Sequence, residues 1–409
     1  MDQLTRAKSL GFSTERLARI DGHLKRYVDA GKFPCAQFVL ARQGQVVHQT
    51  VLGQQDPERG LPLAEDTVFR IYSMTKPITC VALMTLVEEG LIALDDPISK
   101  YIPEFKDLGV FSAGVGPYLT TPPARPMQVV DVLRHTSGLT YGFQNRTNVD
   151  AAYRKLQVEG MHVQHDLEGF IQMLAKLPLE FSPGEAWNYS VSTDVVGYLV
   201  QKVAGKPFSE VLKDRIFEPL KMVDTGFHVR EDQKSRFAAC YEFAPGGKMK
   251  LQDDPTKSAY LAPPKFESGG GGLVSTAADY LRFTNMLLNG GELEGARILA
   301  PKTVRLMASN HLPGGKDLTE LSRSLFSEST NAGVGFGLGF AVVFDPPKTL
   351  IPCSKGEFYW GGAASTAFWV DPVEDVTAVF MTQLLPSSSY PIRRELRTLV
   401  YGALMESNA

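Results

Sequence analysis

The sequence predicts an α+β protein: an antiparallel sheet flanked by helices, with a mostly helical second domain inserted into it. Three observations predict this. Two β-like runs sit near the start of the chain, and strands return only after about Gly270. The stretch between them is dominated by helical patterning with long connections. Amphipathic helices open and close the chain, so its first and last segments should share one sheet. The expected division is 1–80 plus 255–409 for the discontinuous α/β domain and 81–254 for the helical one, with the site at their seam.

Taken in order, Ser13 reads as an N-cap before apolar Leu17, Ile20, Leu24, Tyr27 and Val28, and Gly31 stops that helix. The runs Ala36 to Arg42 and Val46 to Leu52 flank a turn at Gly44 and read as paired strands. Val68 to Tyr72 reads as a short strand and the apolar stretch Pro77 to Leu91 as a buried helix. Further helices are expected over Val129 to Arg134, Leu167 to Leu177, Asp194 to Ala204 and Phe208 to Ile216, and Leu119 to Pro126 reads as a stiff loop. Late strands are expected over Gly335 to Phe344, Glu357 to Trp360, Ser365 to Val370 and Val376 to Leu384, with a hairpin turn at Asp371 to Asp375. A helix from Pro391 to Met405 closes the chain.

With 409 residues, 44% of them hydrophobic, the chain can bury one large core or two that share a cleft. A formal charge of −3 and scattered basic residues argue against nucleic acid and anionic membranes as partners. The opening residues lead into a charged helix, no stretch approaches a membrane span, and a cytoplasmic enzyme is the expectation. Cys35, Cys80, Cys240 and Cys353 lie far apart in mostly apolar surroundings and read as buried thiols.

The chemistry is carried by three pieces. The first is Ser73-Met74-Thr75-Lys76, between the short strand and the buried helix. Residues three apart share a helical face, so the lysine can reach the serine. Helix N–H groups favour developing negative charge there, and a desolvated lysine can lose its proton near neutral pH. The second is Tyr189-Ser190-Val191, after the Pro183-Gly184 turn. A phenol beside an ammonium ionises more readily and can carry a proton to and from a serine. The third is Trp360-Gly361-Gly362-Ala363, where two glycines let the backbone approach a ligand. The N–H groups of Ala363 and Ser73 would then form an oxyanion hole.

In this order the pieces resemble the serine β-lactamase and penicillin-binding-protein superfamily, whose signature is Ser-x-x-Lys, Tyr-x-Asn and Lys-Thr-Gly, here nearest its class C form. His135-Thr136-Ser137-Gly138-Leu139 and Ser268-Gly269-Gly270-Gly271-Gly272-Leu273 also match that family's segments. The resemblance implies the β-lactamase/transpeptidase-like fold, an acyl-enzyme on Ser73, and no metal or organic cofactor.

The departures redirect the substrate. Val191 stands where the family has asparagine and Trp360 where it has lysine, so two polar handles for an antibiotic are replaced by apolar surface. These positions are similar to those of family VIII carboxylesterases and related fungal acyltransferases. The expected reaction is therefore cleavage of a small-molecule ester of a short to medium acyl chain, with Lys76 hydrogen-bonded to Ser73 and Tyr189. Tyr141, Trp360, Gly361, Gly362 and Val191 are the expected substrate contacts, and Trp187 and Phe143 read equally as cleft wall or core. Acyl transfer, amide cleavage or weak β-lactam hydrolysis on the same scaffold remain open, as does a non-catalytic binding relative.

Other candidates are set aside. His162 and His165 lack a third metal ligand, so no metal site is expected. No G-x-S-x-G exists to build a Ser-His-Asp triad. His135 reads as ordering a loop and Asp194 as an acid favoured by its helix N-terminus.

Overall fold

The computed structural model describes residues 2–160, 163–323 and 331–408. In chain order, helix α1 (Thr14–Asp29) precedes strands β1 (Cys35–Arg42), β2 (Gln45–Asp56) and β3 (Leu61–Pro62). Helices α2 (Thr75–Glu88), α3 (Ser192–Ala204) and α4 (Ala277–Leu288) follow. Strands β4 (Val334–Phe336), β5 (Ala341–Val343), β6 (Phe358–Gly361), β7 (Ala367–Asp371) and β8 (Val376–Met381) lead to the closing helix α5 (Ile392–Ala403).

The eight strands form one antiparallel sheet in the order β4-β5-β6-β7-β8-β1-β2-β3. The two ends of the chain meet in its middle, where β1 pairs with β8 in the register Phe38↔Phe380 and Val39↔Val379. The central strands are buried on both faces, so consecutive side chains enter different cores. Val39, Phe368, Val370, Val379 and Met381 face the larger core with α2 and α4. Phe38, Leu40, Trp369, Ala378 and Phe380 face a second core with Leu17, Ile20 and Leu24 of α1 and Leu396 and Val400 of α5. The Ser13 hydroxyl caps α1 as its position predicts. Helix α2 is buried from Thr75 to Leu86, the only arrangement open to a helix apolar nearly all round.

Several elements differ from the sequence pattern. The expected strand 335–344 is two strands, β4 and β5, because the chain reverses at Gly337, whose N–H donates to Phe340 O (2.8 Å). Leu119–Thr121 is not a plain loop but pairs with Val110–Ala113. The helix expected over 208–216 is α-helical only to Leu212 and continues as a π-helical turn to Phe217. A hairpin of Cys240–Ala244 and Lys248–Asp253, unmarked by any apolar run, pairs in parallel with Leu384–Leu385 and ties the intervening segment to the end of β8. The thiols of Cys35, Cys80 and Cys240 are buried, free and pushed up by desolvation. No helix among the described residues is long and apolar enough to cross a membrane.

The second core anchors α5, so Leu396→Ala should lower the unfolding free energy by about 2–5 kcal/mol. A downward shift of the urea midpoint against wild type checks this.

Candidate active site

Ser73 sits where the chain turns from strand to helix. Phe69–Arg70 pairs with Val274–Ser275, Tyr72 takes the left-handed region (φ 42°), and residues 72–74 form a single 3₁₀ turn into α2. A non-glycine residue in that region costs on the order of 1–3 kcal/mol, so the surroundings must hold it. They do so through hydrogen bonds from Ile71 N–H to Leu273 O (3.2 Å) and from Tyr280 Oη to Met74 O (2.9 Å). The glycine-rich run 268–273 therefore lies directly along the serine turn.

Lys76, one helical turn further, is 1% exposed. Its ammonium donates to Gly270 O (2.7 Å), Tyr141 Oη (3.1 Å) and Ser73 Oγ (3.3 Å), which uses all three protons. Toward Tyr189 it presents no hydrogen bond: Nζ lies 4.4 Å from the ring centroid, facing the π surface rather than the hydroxyl. The expected Lys76–Tyr189 hydrogen bond is thus replaced by one to Tyr141. Gly270 is required by space, since a Cβ there would fall 2.7 Å from Asp194 Oδ2 and 2.8 Å from Tyr141 Oη.

Tyr189 Oη donates to Ser73 Oγ at 2.6 Å. The segment beneath it is locked by the His135–Leu139 run: Asn188 N–H donates to His135 O (2.9 Å), and Ser137, Ser190 and Ser192 hydroxyls form a chain at 2.7 Å steps. Burial, then the Lys76 charge, hold the His135 ring well below the ordinary imidazole range, so it is neutral. It packs 5.0 Å from the Tyr189 ring and approaches Ser190 Oγ at 3.3 Å, ordering this loop as expected.

At the third piece, β6 ends at Gly361 and the chain turns back into β7. Both glycines approach the protein itself closely, and Gly361 also faces the cavity. A Cβ on Gly362 would meet Ile71 O at 2.5 Å, and one on Gly361 would meet the Arg393 guanidinium at 2.5 Å. The approach to Ile71 brings Ala363 to the serine turn.

Ser73, Tyr141, Tyr189, Trp360, Gly361 and Ala363 all line one cavity of about 580 Å³, whose walls are mostly apolar. The aromatic wall is continuous: Tyr189 lies 5.5 Å from Trp360 and 5.3 Å from Tyr141, which stacks on exposed Phe143 at 4.7 Å. Phe143 and the buried Trp187 belong to this wall too. Val191 and Gly362 do not. Val191 is fully buried because, at the N-cap position just before α3, its side chain joins the core, its N–H donating to Thr140 O (3.2 Å). Gly362 is buried between Ile71 and Thr366.

Two carboxylates were under-read from the sequence. Asp194 does more than favour its helix dipole: it is 1% exposed, lines the cavity, and accepts from Ser268 Oγ (2.5 Å) and Gly270 N–H (2.9 Å). Burial pushes its carboxyl up, against the opposing pull of Lys76. Glu159 accepts from Gly142 N–H (2.5 Å), its Oε2 is buried without a hydrogen bond among the described residues, and burial pushes its carboxyl from 4.5 up to about 7. Burial, then the charges of Asp194 and its neighbours, push the Tyr141 phenol well above its ordinary range, so it stays protonated. Asp194 was detectable as a charge five residues past Tyr189, just before the apolar run Val195 to Val200; nothing in the sequence marks Glu159. His165 is exposed and bonded to Asp166 O (3.1 Å), while His162 lies outside the described residues.

A sequence model of the Beta-lactamase family matches residues 20–402. An uncharacterized protein of Mycobacterium tuberculosis is 36% identical over 378 residues, 90% of this chain and 91% of that one. Esterase EstB of Burkholderia gladioli is 29% identical over 403 residues, 94% of this chain and 95% of that one. Among solved structures, EstCE1, described as a hydrolase with promiscuous acyltransferase activity, superposes with a TM-score of 0.81 at 26% identity, covering 95% of this chain and 99% of that chain.

Because Glu159 binds its proton more tightly folded than unfolded, its stabilising contribution is full below about pH 4.5 and is lost as pH rises through about 7. Glu159→Gln keeps an acceptor for Gly142 and removes the titration. The fall in Tm between pH 5 and pH 8 should therefore be smaller in this variant than in wild type.

Proposed function

The chain belongs to the beta-lactamase family, and we propose that within it the protein is a serine carboxylesterase of the family VIII kind. One observation carries the reading: Ser73 Oγ lies 2.6 Å from Tyr189 Oη and 3.3 Å from Lys76 Nζ in a largely apolar cavity. The 29% identity to Esterase EstB supports it.

In the proposed mechanism the reacting form has one proton fewer than the arrangement described above: Lys76 stays an ammonium, Tyr189 is a phenolate, and Ser73 donates across the 2.6 Å contact. Ser73 Oγ bonds to the ester carbonyl carbon while its proton passes to Tyr189, with Lys76 holding the charge balance. The carbonyl π pair moves onto oxygen, which the N–H groups of Ser73 and Ala363 receive; such a donor is worth about 3–4 kcal/mol. The intermediate collapses by breaking the bond to the alkoxy oxygen, and Tyr189 protonates the departing alcohol. Water then attacks the acyl-enzyme and gives its proton to Tyr189, which returns it to Ser73 Oγ as the C–O bond to the serine breaks and the acid is released. Tyr141 holds the ammonium in place and does not itself exchange a proton.

The substrate is a neutral ester of a short to medium acyl chain. The aromatic wall of Trp360, Tyr141 and Phe143 supports this, because it offers apolar contact beside Ser73. A second reading, acyl transfer to an alcohol in place of water, is favoured by the activity described for EstCE1. A non-catalytic role would leave the three-residue contact at Ser73 without a purpose.

Wild type should cleave p-nitrophenyl butyrate and turn over nitrocefin slowly or not at all. Ser73→Ala should lower kcat by at least about 10³-fold with an unchanged Tm. Substantial ester cleavage by that variant would refute the mechanism, and fast nitrocefin turnover would refute the substrate assignment. Product analysis with an added alcohol separates hydrolysis from acyl transfer. Tyr189→Phe should cost about 10²–10⁴-fold in kcat.

A further inference from the structure

Arg393, in the first turn of α5, is turned toward the β6–β7 turn. Its Nη2 donates to Gly362 O (2.7 Å) and Thr366 O (2.9 Å), the carbonyls at either end of that turn. Gly362 O also accepts from Ser365 N–H (3.2 Å), so its direction is fixed from two sides. The peptide joining Gly362 to Ala363 is trans, which makes its C=O and N–H point in opposite directions. Whatever holds Gly362 O therefore aims the Ala363 N–H. Ala363 is exposed on the cavity wall, and its N–H has no acceptor among the described residues.

Gly361 completes the arrangement. A Cβ there would lie 2.5 Å from both Cζ and Nη2 of Arg393, so the guanidinium occupies the space that any side chain at this position would take. The resembled signature has threonine here. Glycine at 361 and arginine at 393 thus form one device.

We propose that Arg393 is a positioning residue for the acyl-transfer step: it holds Gly362 O and thereby aims the Ala363 N–H at the developing oxyanion. The proposal rests on the acyl-enzyme reading at Ser73. A charged donor on the carbonyl also polarises the peptide and strengthens its N–H as a donor. The oxyanion exists in the transition state and not in the bound substrate, so the effect falls on kcat and not on KM.

The test is steady-state kinetics on p-nitrophenyl butyrate, together with inhibition by an alkyl trifluoromethyl ketone, whose serine hemiketal places an oxyanion in the same position. Arg393→Met should lower kcat about 10–100-fold with KM within about twofold, and should weaken the ketone by a similar factor. Added guanidinium should restore part of the activity of Arg393→Ala. A kcat within about twofold of wild type, or a loss confined to KM with ketone inhibition intact, overturns the proposal. Should these variants fail to fold, Arg393→Gln, which keeps the stem and a neutral donor, is measured in the same way, and the same two outcomes apply. Failure of the underlying reading shows separately, as ester cleavage that survives Ser73→Ala.

Discussion

A buried ammonium must be surrounded by acceptors, and much of the architecture around Lys76 answers that requirement. Desolvating a cation costs several kcal/mol unless each proton finds a partner. Here one partner is local, Ser73 in the turn that opens the helix, and two come from distant parts of the chain, the Tyr141 hydroxyl and the Gly270 carbonyl. Each imposes its own condition. The Gly270 carbonyl can reach Lys76 only because position 270 has no side chain to meet Asp194 and Tyr141. Asp194 then accepts from the N–H of the same residue, its carboxyl pushed up by burial. Tyr141 stays neutral in this field and serves as an acceptor without competing for the proton.

The sheet supplies the other half of the geometry. Strands β6 and β7 bring the turn at Gly362 against Ile71, immediately before the strained Tyr72 and Ser73. The serine turn is therefore held from the helical side by Leu273 and Tyr280 and from the sheet side by the Gly362 turn. The reactive groups meet where these two bodies of structure touch. Helix α5, fixed by the second core, reaches through Arg393 to the back of that turn, so packing far from the cavity is connected to its polar floor.

Much of this was legible in the chain. The strands on either side of the β1–β8 pairing announced themselves by apolar runs, and Ser73, Lys76 and Tyr189 by type, order and spacing. What was not legible depends on contacts across the fold. The partner of Lys76 was read as the Tyr189 hydroxyl, yet the ammonium meets the face of that ring and bonds a tyrosine 65 residues away. Val191 was read as cleft surface because it follows Tyr189, but at the N-cap position just before α3 its side chain joins the core. Gly362 was read as room for a ligand, whereas its space is taken by Ile71; Gly361 does line the cavity, with Arg393 and Thr366 O close behind it. Residues 335–344 were read as one strand because a hairpin buried throughout shows no polar turn.

The account stands on a covalent intermediate at one atom, the Oγ of Ser73. The direct measurement is to quench the enzyme with acid during turnover of a slowly deacylating ester and map the protein by peptide mass spectrometry. The account predicts a mass increase of one acyl group on the peptide containing Ser73. Acylation at another residue, or steady ester turnover with no acylated peptide across the quench times that resolve its formation, would contradict it.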